Sequence, residues 1–144
     1  MKATFSAASL LENVQKIASI IQEHAPHGEQ ERQLAPPVVD AMVEAGLFRI
    51  WTPQVFGGLE ADPVTAVRVF EEVARLDSAA GWNLELSASV VPFFAWFPDA
   101  GVEEIFRGNP DVIFSGTLFP PGHAVPVEGG VSSDGTLALC QRLP

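Results

Sequence analysis

Apolar residues recur at helical spacing along most of the first 110 residues. In the first such stretch, residues 6–23, they follow one another at intervals of three and four: Leu10, Val14, Ile17 and Ile21. Ser9 and Glu12 have the spacing of a capping box, so this helix can begin as late as residue 10. The sequence HAPHG that follows contains Pro26 and Gly28 and is expected to end the helix.

Two further helices are marked by their ends. Pro36 and Pro37 suit the first turn of a helix that Gly46 stops, with an apolar face made of Val38, Val39, Met42 and Val43. Residues 63–77 have the clearest helical pattern, with Asp62 as the cap and an inner stripe made of Ala66, Val69, Phe70, Val73 and Leu76. Two ion pairs, Arg68–Glu72 and Glu71–Arg75, are predicted on its outer face.

The stretch DSAAGWNLELSASVVPFFAWFP, residues 77–98, is apolar on every side of a helix. Glu85 is the only ionisable residue between Gly81 and Phe97. The apolar run is shorter than the roughly 20 residues that cross a bilayer, and it contains Pro92. The pattern therefore predicts a kinked core helix over residues 78–97, surrounded by the other helices.

The remaining segments complete a mostly α prediction. Residues 47–63 are too apolar for a free linker and are expected to form a packed irregular segment. Asp99 is expected to cap a short helix that turns Val102, Ile105 and Phe106 inward. DVIFSGT, residues 111–117, is typical of a strand, and Val125 and Val127 indicate a second one. We therefore predict a helical domain over 1–110, the start of a β domain over 111–130, and an unassigned tail over 131–144.

Composition narrows the classes of function. The net charge of −10 on 144 residues argues against binding to nucleic acid or to an anionic membrane surface. Cys140 is the single cysteine, so no disulfide framework is expected. The N-terminus reaches Glu12 before a long apolar run develops, which is unlike a signal peptide. These features predict a cytoplasmic protein without a membrane span.

Isolated chemical motifs are weak. His24 and His27 lie three residues apart, but zinc sites usually need three or four ligands, so a solvated helix end is the preferred interpretation. Gly57 and Gly58 are compatible with a phosphate-binding loop, although no lysine or G-x-G-x-x-G pattern accompanies them. The neighbouring carboxylates Glu71 and Glu72 do not face each other on a helix, so a catalytic pair is disfavoured.

The order of these signals resembles that of a known family. The run EAGLFRIWTPQVFGGLEADPVTAVRVFEEVARLDSAAGW, residues 44–82, followed by IFSGTLFPPGHAVPVEGG, residues 113–130, is similar to the N-terminal part of flavoproteins with the acyl-CoA dehydrogenase fold. The residues of these motifs are most similar to those of the flavin-dependent monooxygenase branch. The resemblance implies an N-terminal helical domain, a middle β domain and a C-terminal four-helix bundle, with the flavin between them and usually a tetramer.

The resemblance also implies site residues. Thr117 and Gly122 match the family's flavin-contacting T-E-P-x-x-G-S turn, whereas Leu118, Phe119 and His123 depart from it. Trp82 matches a tryptophan that lies near the flavin in the monooxygenase branch. Glu85, one turn later, either lines the substrate cavity or is a peripheral carboxylate, the latter being preferred. Val90 stands where phenol hydroxylases have a histidine, which argues against a phenolic substrate. No catalytic residue and no metal ligand is assigned.

Three functions follow from the resemblance and remain open. The first is the N-terminal portion of a flavin oxidoreductase, using FAD or FMN, that acts on CH–CH bonds of acyl-CoA-like small molecules. The second is part of a two-component monooxygenase that takes reduced flavin from a reductase, and the third is a non-catalytic helical interaction module. Gly129-Gly130 is followed by VSSDGTLALCQRLP rather than by the family's next strands. We therefore expect a truncated, frame-shifted or fragmentary chain that holds flavin poorly and does not turn over alone.

Overall fold

The computed structural model describes residues 9–115 and 123–134. The described part contains helices α1 (Leu10–Glu31), α2 (Pro36–Glu44), α3 (Pro63–Leu76), α4 (Ser78–Val90) and α5 (Asp99–Phe106), followed by the antiparallel strands β1 (His123–Val127) and β2 (Gly130–Asp134). Three short 3₁₀ segments, Leu47–Arg49, Gln54–Phe56 and Val91–Trp96, connect the helices. The mostly α prediction is confirmed.

Helix α1 is eight residues longer at its C-terminal end than the sequence predicts. It continues through Pro26 to Glu31, and Arg32 then adopts a left-handed conformation with φ 56°. Its backbone N–H, like that of Gln33, donates to the carbonyl of Gly28. The prediction that the HAPHG sequence ends the helix is therefore wrong, because a proline removes only one backbone donor and the rest of the helix remains bonded. The predicted inward residues Leu10, Val14, Ile17 and Ile21 are all buried.

Helix α2 and the segment that follows it agree with their predictions. Gly46 ends the helix region with φ 74°, and Leu47, Phe48 and Ile50 are buried. The segment 47–61 folds back on itself through three backbone hydrogen bonds. Leu59 N–H donates to the Arg49 carbonyl (3.0 Å), Glu60 N–H to the Thr52 carbonyl (3.3 Å) and Ala61 N–H to the Ile50 carbonyl (2.8 Å). It is a packed irregular segment.

The glycine pair in this segment serves packing. A Cβ on Gly58 would lie 1.9 Å from the carbonyl oxygen of Thr52, so no larger residue fits. The N–H groups of Gly57 and Gly58 donate to the carbonyls of Gln54 and Pro53, at 2.9 and 3.0 Å. Because these donors are already paired within the loop, the phosphate-loop alternative is wrong.

Helices α3 and α4 form the most extensive helix pair. Asp62 caps α3 by accepting hydrogen bonds from the backbone N–H groups of Val64 and Thr65, both at 3.0 Å. Glu71 pairs with Arg75 at 2.9 Å as predicted, whereas Glu72 accepts a hydrogen bond from Gln15 of α1 at 2.7 Å and not the predicted ion pair from Arg68. Four of the five predicted inner residues of α3 are buried: Ala66, Val69, Phe70 and Val73.

The central stretch differs most from its prediction. Residues 78–90 are α-helical, but Val91–Trp96 is a 3₁₀ helix, since Pro92 cannot continue the α-helical bonding. One face is buried, formed by Ala80, Gly81, Leu84, Ser87, Ala88 and Val91. Trp82, Phe93, Trp96 and Phe97 are exposed, at 57%, 60%, 78% and 50%. The prediction of a segment buried on all sides is therefore wrong, because the helical domain contacts it from one side only.

The chain after α4 also departs from prediction at two points. Asp99 is the first residue of α5 and the cap position is Pro98, so the predicted Asp99 cap is wrong. Residues 111–115 have no regular secondary structure and pair with neither described strand, and 116–117, the end of the predicted first strand, lie outside the described residues. The strand predicted around Val125 and Val127 is β1. It pairs with β2 in a hairpin in which His123 faces Asp134 and Val127 faces Gly130.

The hydrophobic core lies where α1, α2, α3 and α4 meet the segment 47–61. Its largest fully buried side chains include Leu10, Ile21, Met42, Leu47, Ile50 and Leu84. Within the described ranges, no helix is both long and apolar enough to cross a lipid bilayer.

Candidate functional site

The outward face of α4 carries the sequence-predicted site residue Trp82. Asp77 caps the helix by accepting hydrogen bonds from the backbone N–H groups of Ala79 (3.2 Å) and Ala80 (3.1 Å). Gly81 faces α3, where a Cβ would lie 2.5 Å from the Cβ of Ala74. Because successive helical residues are about 100° apart, Trp82 points away from this contact and is 57% exposed.

Three further side chains of α4 lie on the same side of the helix as Trp82. Glu85, Leu86 and Ser89 follow it at spacings of three, four and seven residues, and all three are half-buried. The indole therefore offers an open aromatic surface and one N–H donor beside a carboxylate and a hydroxyl. An exposed indole of this kind can stack on a planar aromatic group and donate one hydrogen bond to it. Val90, the position of interest for phenol substrates, is half-buried.

Beside α4 runs the segment through which the chain leaves the helical domain, residues 109–115, hereafter the exit segment. It has no regular secondary structure beyond the turn closed by the hydrogen bond from Asp111 N–H to Asn109 Oδ1 (3.0 Å). Its fixed position comes from side chains of the helical domain instead. The Phe114 backbone N–H donates to the buried Ser87 Oγ of α4 at 2.9 Å.

Two more side chains hold the exit segment from its other side. The Arg49 guanidinium forms a two-pronged pair with the Asp111 carboxylate, with Nε donating to Oδ1 at 2.7 Å and Nη2 donating to Oδ2. Both side chains are largely buried, with 17% and 10% exposure. The buried Thr52 Oγ1 donates to the Pro110 carbonyl at 3.1 Å. Arg49, Thr52 and Ser87 together are hereafter the exit clamp.

An aromatic cluster completes the attachment. The rings of Phe94, Phe106 and Phe114 contact one another with centroids 5.1 to 6.0 Å apart, and Phe56 stacks on Phe106 at 5.3 Å. Phe106 is 1% exposed. The cluster joins the segment before α3, the 3₁₀ helix, α5 and the exit segment, so the exit segment is packed as well as hydrogen-bonded.

The structure describes only part of the sequence-predicted site. Trp82 lies on the open face of α4, whereas Thr117 and Gly122 lie outside the described residues. Thr117 follows Phe114 by three residues in the sequence. Sequence reasoning missed the exit clamp. The available signal was Ser87, a polar residue within a helix predicted to be buried, because a buried hydroxyl needs a hydrogen-bond partner.

Other candidate sites have less support. His24 Nδ1 lies 3.0 Å from the Ile20 carbonyl, at the helix surface. No cluster of three or more His, Cys, Asp or Glu side chains suited to a metal ion occurs in residues 9–115 and 123–134. A groove of about 490 Å³ lies between Trp51, Phe56, Phe94 and Phe97, and it does not include Trp82. The groove is therefore separate from the predicted flavin-facing residue.

Comparison with known proteins identifies relatives of the whole described region. The chain is 34% identical to the indole-3-acetate monooxygenase of Pseudomonas putida over 117 residues, which are 80% of this chain and 30% of that enzyme. It is 29% identical to the oxygenase component of p-hydroxyphenylacetate 3-hydroxylase from Acinetobacter baumannii, over 90% of this chain and 31% of that protein. The chain thus spans about a third of the length of the curated relatives it matches.

A solved structure gives the same result in three dimensions. XiaF from Streptomyces sp., in complex with FADH2 and glycerol, superposes with a TM-score of 0.85 at 27% identity, covering 90% of this chain and 33% of XiaF. The family model described as "Acyl-CoA dehydrogenase, N-terminal domain" matches residues 7–97, more than half of the 144 residues. The chain therefore belongs to the acyl-CoA dehydrogenase family of flavoproteins and carries its N-terminal helical domain.

Proposed function

We propose that this chain is the N-terminal portion of the oxygenase component of a two-component, flavin-dependent monooxygenase. The observation that carries the proposal is that the named relatives, matched over 80–90% of the chain, are monooxygenases and hydroxylase oxygenase components. They favour this function over dehydrogenation of acyl-CoA-like substrates, which the family name alone suggests. The proposed substrate is a small organic molecule that is hydroxylated.

The open face of α4 supplies one wall of the proposed flavin site. The Trp82 indole would contact the flavin ring, and its N–H would donate to a polar edge of that ring. Thr117 and Gly122 remain proposed contacts through their match to the family's turn. When bound, the reduced flavin supplies the electrons that activate molecular oxygen. Glu85 and Ser89 of this chain provide polar groups on the same face.

The proposal implies partners. A separate flavin reductase would supply the reduced FAD or FMN, because relatives of this chain are named as oxygenase components. Self-association, expected from the family, and a cytoplasmic location, expected from the composition, remain predictions. The described β sheet has two strands, and such a sheet is marginally stable on its own. We therefore expect a productive flavin site only where further sheet and helices complete it.

A chimera tests the proposal. Residues 1–130 of this chain replace the corresponding first third of the Pseudomonas putida indole-3-acetate monooxygenase. The chimera is then supplied with a flavin reductase, NADH and indole-3-acetate. We expect oxygen uptake coupled to hydroxylated product. Trp82→Ala is expected to weaken binding of reduced flavin about 10-fold, because it removes the aromatic contact. Trp96→Ala, at a tryptophan that is even more exposed but lies outside α4, is expected to leave it unchanged.

A second chimera provides the control for interface mismatch. It carries the N-terminal third of the Acinetobacter baumannii p-hydroxyphenylacetate hydroxylase on the same body. If this control hydroxylates and the chimera built from the present chain neither binds flavin nor hydroxylates, the monooxygenase assignment is refuted. That outcome would favour the non-catalytic helical module.

A further inference from the structure

The buried polar side chains of the helical domain form hydrogen bonds with one short segment of the chain. Within residues 9–115, the buried polar side chains are Thr52 and Ser87, at 1% exposure each, and both bond to the exit segment. Between described residues, Arg49–Asp111 is the ion pair that joins separate parts of the fold, since the other two pairs lie within α3. It too ends on the exit segment.

This convergence has an energetic meaning. A buried polar group costs free energy unless it is hydrogen-bonded, so Thr52 and Ser87 would be unfavourable at their positions without the exit segment. The exit segment in turn belongs to no strand ladder in the part of the chain that the structure describes. Apart from the Asn109 N–H, which donates to the Phe106 carbonyl at 3.1 Å, the backbone partners found for it are side-chain oxygens. The buried hydroxyls and the backbone of the exit segment therefore satisfy each other's hydrogen bonds. Polar contacts as well as apolar packing specify the path of the chain.

The contacts come from two sides, the segment 47–61 and α4. Arg49 lies in a 3₁₀ turn, Thr52 in the loop after it and Ser87 in α4, and they hold residues 111, 110 and 114. Three fixed points on five consecutive residues determine both the direction and the register of the chain. The Phe114 ring, packed between Phe94 and Phe106, prevents rotation about this path.

We propose that the exit clamp is a positioning device that sets the register with which the chain leaves the helical domain. Arg49, Thr52 and Ser87 are thus positioning residues for the polypeptide that follows Phe114. Any consequence of the clamp for a flavin site on the Trp82 face rests on the proposed function. The clamp itself rests only on the contacts above.

Amide hydrogen exchange of the 144-residue chain, followed by NMR, tests the clamp. Ser87→Ala removes the acceptor of the Phe114 N–H, and we expect exchange of that amide to accelerate about 10-fold relative to the amides of Val69 and Val73, which report global unfolding. Ser89→Ala is the matched control, because Ser89 lies on the same helix and its hydroxyl donates to the Leu86 carbonyl, away from the exit segment. It should leave the Phe114 amide unchanged.

A second variant keeps the test decisive if Ser87→Ala fails to fold. Asp111→Asn preserves shape but weakens the pair with Arg49, and it should accelerate amide exchange within residues 111–114 by a similar factor. Arg75→Lys, on the exposed pair with Glu71, should not. The clamp is refuted if the Phe114 amide is unprotected in the wild-type chain, or if variants and controls change its exchange equally. Flavin binding is measured separately in the chimera, so a failure there counts against the proposed function and not against the clamp.

Discussion

Gly81→Ala tests how closely α3 and α4 must approach. The added Cβ would lie 2.5 Å from the Ala74 Cβ, 2.6 Å from its Cα and 2.8 Å from its backbone nitrogen. Non-bonded carbon atoms are normally about 3.5–4.0 Å apart, so the helices would have to separate by roughly 1 Å. The obstructing atoms belong to the backbone and the first side-chain carbon of Ala74, and neither can rotate away.

Two opposing contributions determine the change in the free energy of unfolding that Gly81→Ala causes. Overpacking of a filled core costs about 1–3 kcal/mol, and the cost here is at the upper end because whole helices must move. Alanine gains about 1 kcal/mol over glycine in helix propensity. We therefore expect Gly81→Ala to lower the free energy of unfolding by about 2 kcal/mol. The displacement would also disturb the buried contacts of Leu84 and Ala88, on the same face of α4.

Urea unfolding followed by circular dichroism at the helical band measures the difference. Gly101→Ala is the control, because Gly101 also lies in a helix and a Cβ there meets nothing within 4 Å. It should raise the free energy of unfolding by about 0.5–1 kcal/mol through propensity alone. If Gly81→Ala proved as stable as the wild-type chain, the close approach of α3 and α4 would be wrong, and with it the placement of Trp82 on the open face.

Two further predictions concern the aromatic cluster and the α3 cap. Phe106→Ala should lower the free energy of unfolding by about 3–5 kcal/mol, because it empties the centre of the cluster, whereas Phe93→Ala, at a side chain 60% exposed, should change it by less than about 1 kcal/mol in the same urea assay. Hydrogen bonds from the Thr65 side chain and backbone, and from the Val64 backbone, lower the pKa of Asp62 below its ordinary value of 3.8. Since the folded pKa is depressed, the stabilisation is present above pH 3.8 and is lost as the pH falls through the folded value. The stability difference between wild type and Asp62→Asn should therefore shrink as the pH falls from about 5 towards 2, and a difference that grows would contradict this cap.

Local signals predicted the elements whose patterns are carried by neighbouring residues. The ends of α2 and α3 follow from Pro36, Gly46 and Asp62, and the inward stripe of α1 follows from its spacing. The same reasoning failed at Pro26, because a proline inside a helix costs a few kcal/mol and an otherwise intact helix can tolerate that cost. It failed again at residues 111–115, where β-branched and aromatic residues predicted a strand but side chains of the helical domain supply the hydrogen bonds.

Part of the candidate site was predicted from the sequence, and part was found only in the structure. The family motif in the sequence pointed to Trp82, Thr117 and Gly122, and the position of Trp82 on an open face agrees with a ligand-facing role without testing it. No local sequence pattern predicts that Arg49 pairs with Asp111, because the two residues are 62 positions apart. Contacts at such separations depend on the whole fold and leave no periodic pattern.

The sequence by itself determined the helical class, the family and most helix boundaries, because these depend on spacing, caps and motif order within a few turns of chain. Only the tertiary structure decided which side of residues 78–97 is buried. A segment with apolar residues on every side of the helix has no pattern that distinguishes its faces, so the choice is made by the close contact of Gly81 with Ala74 and by the hydrogen bond of Ser87 with Phe114.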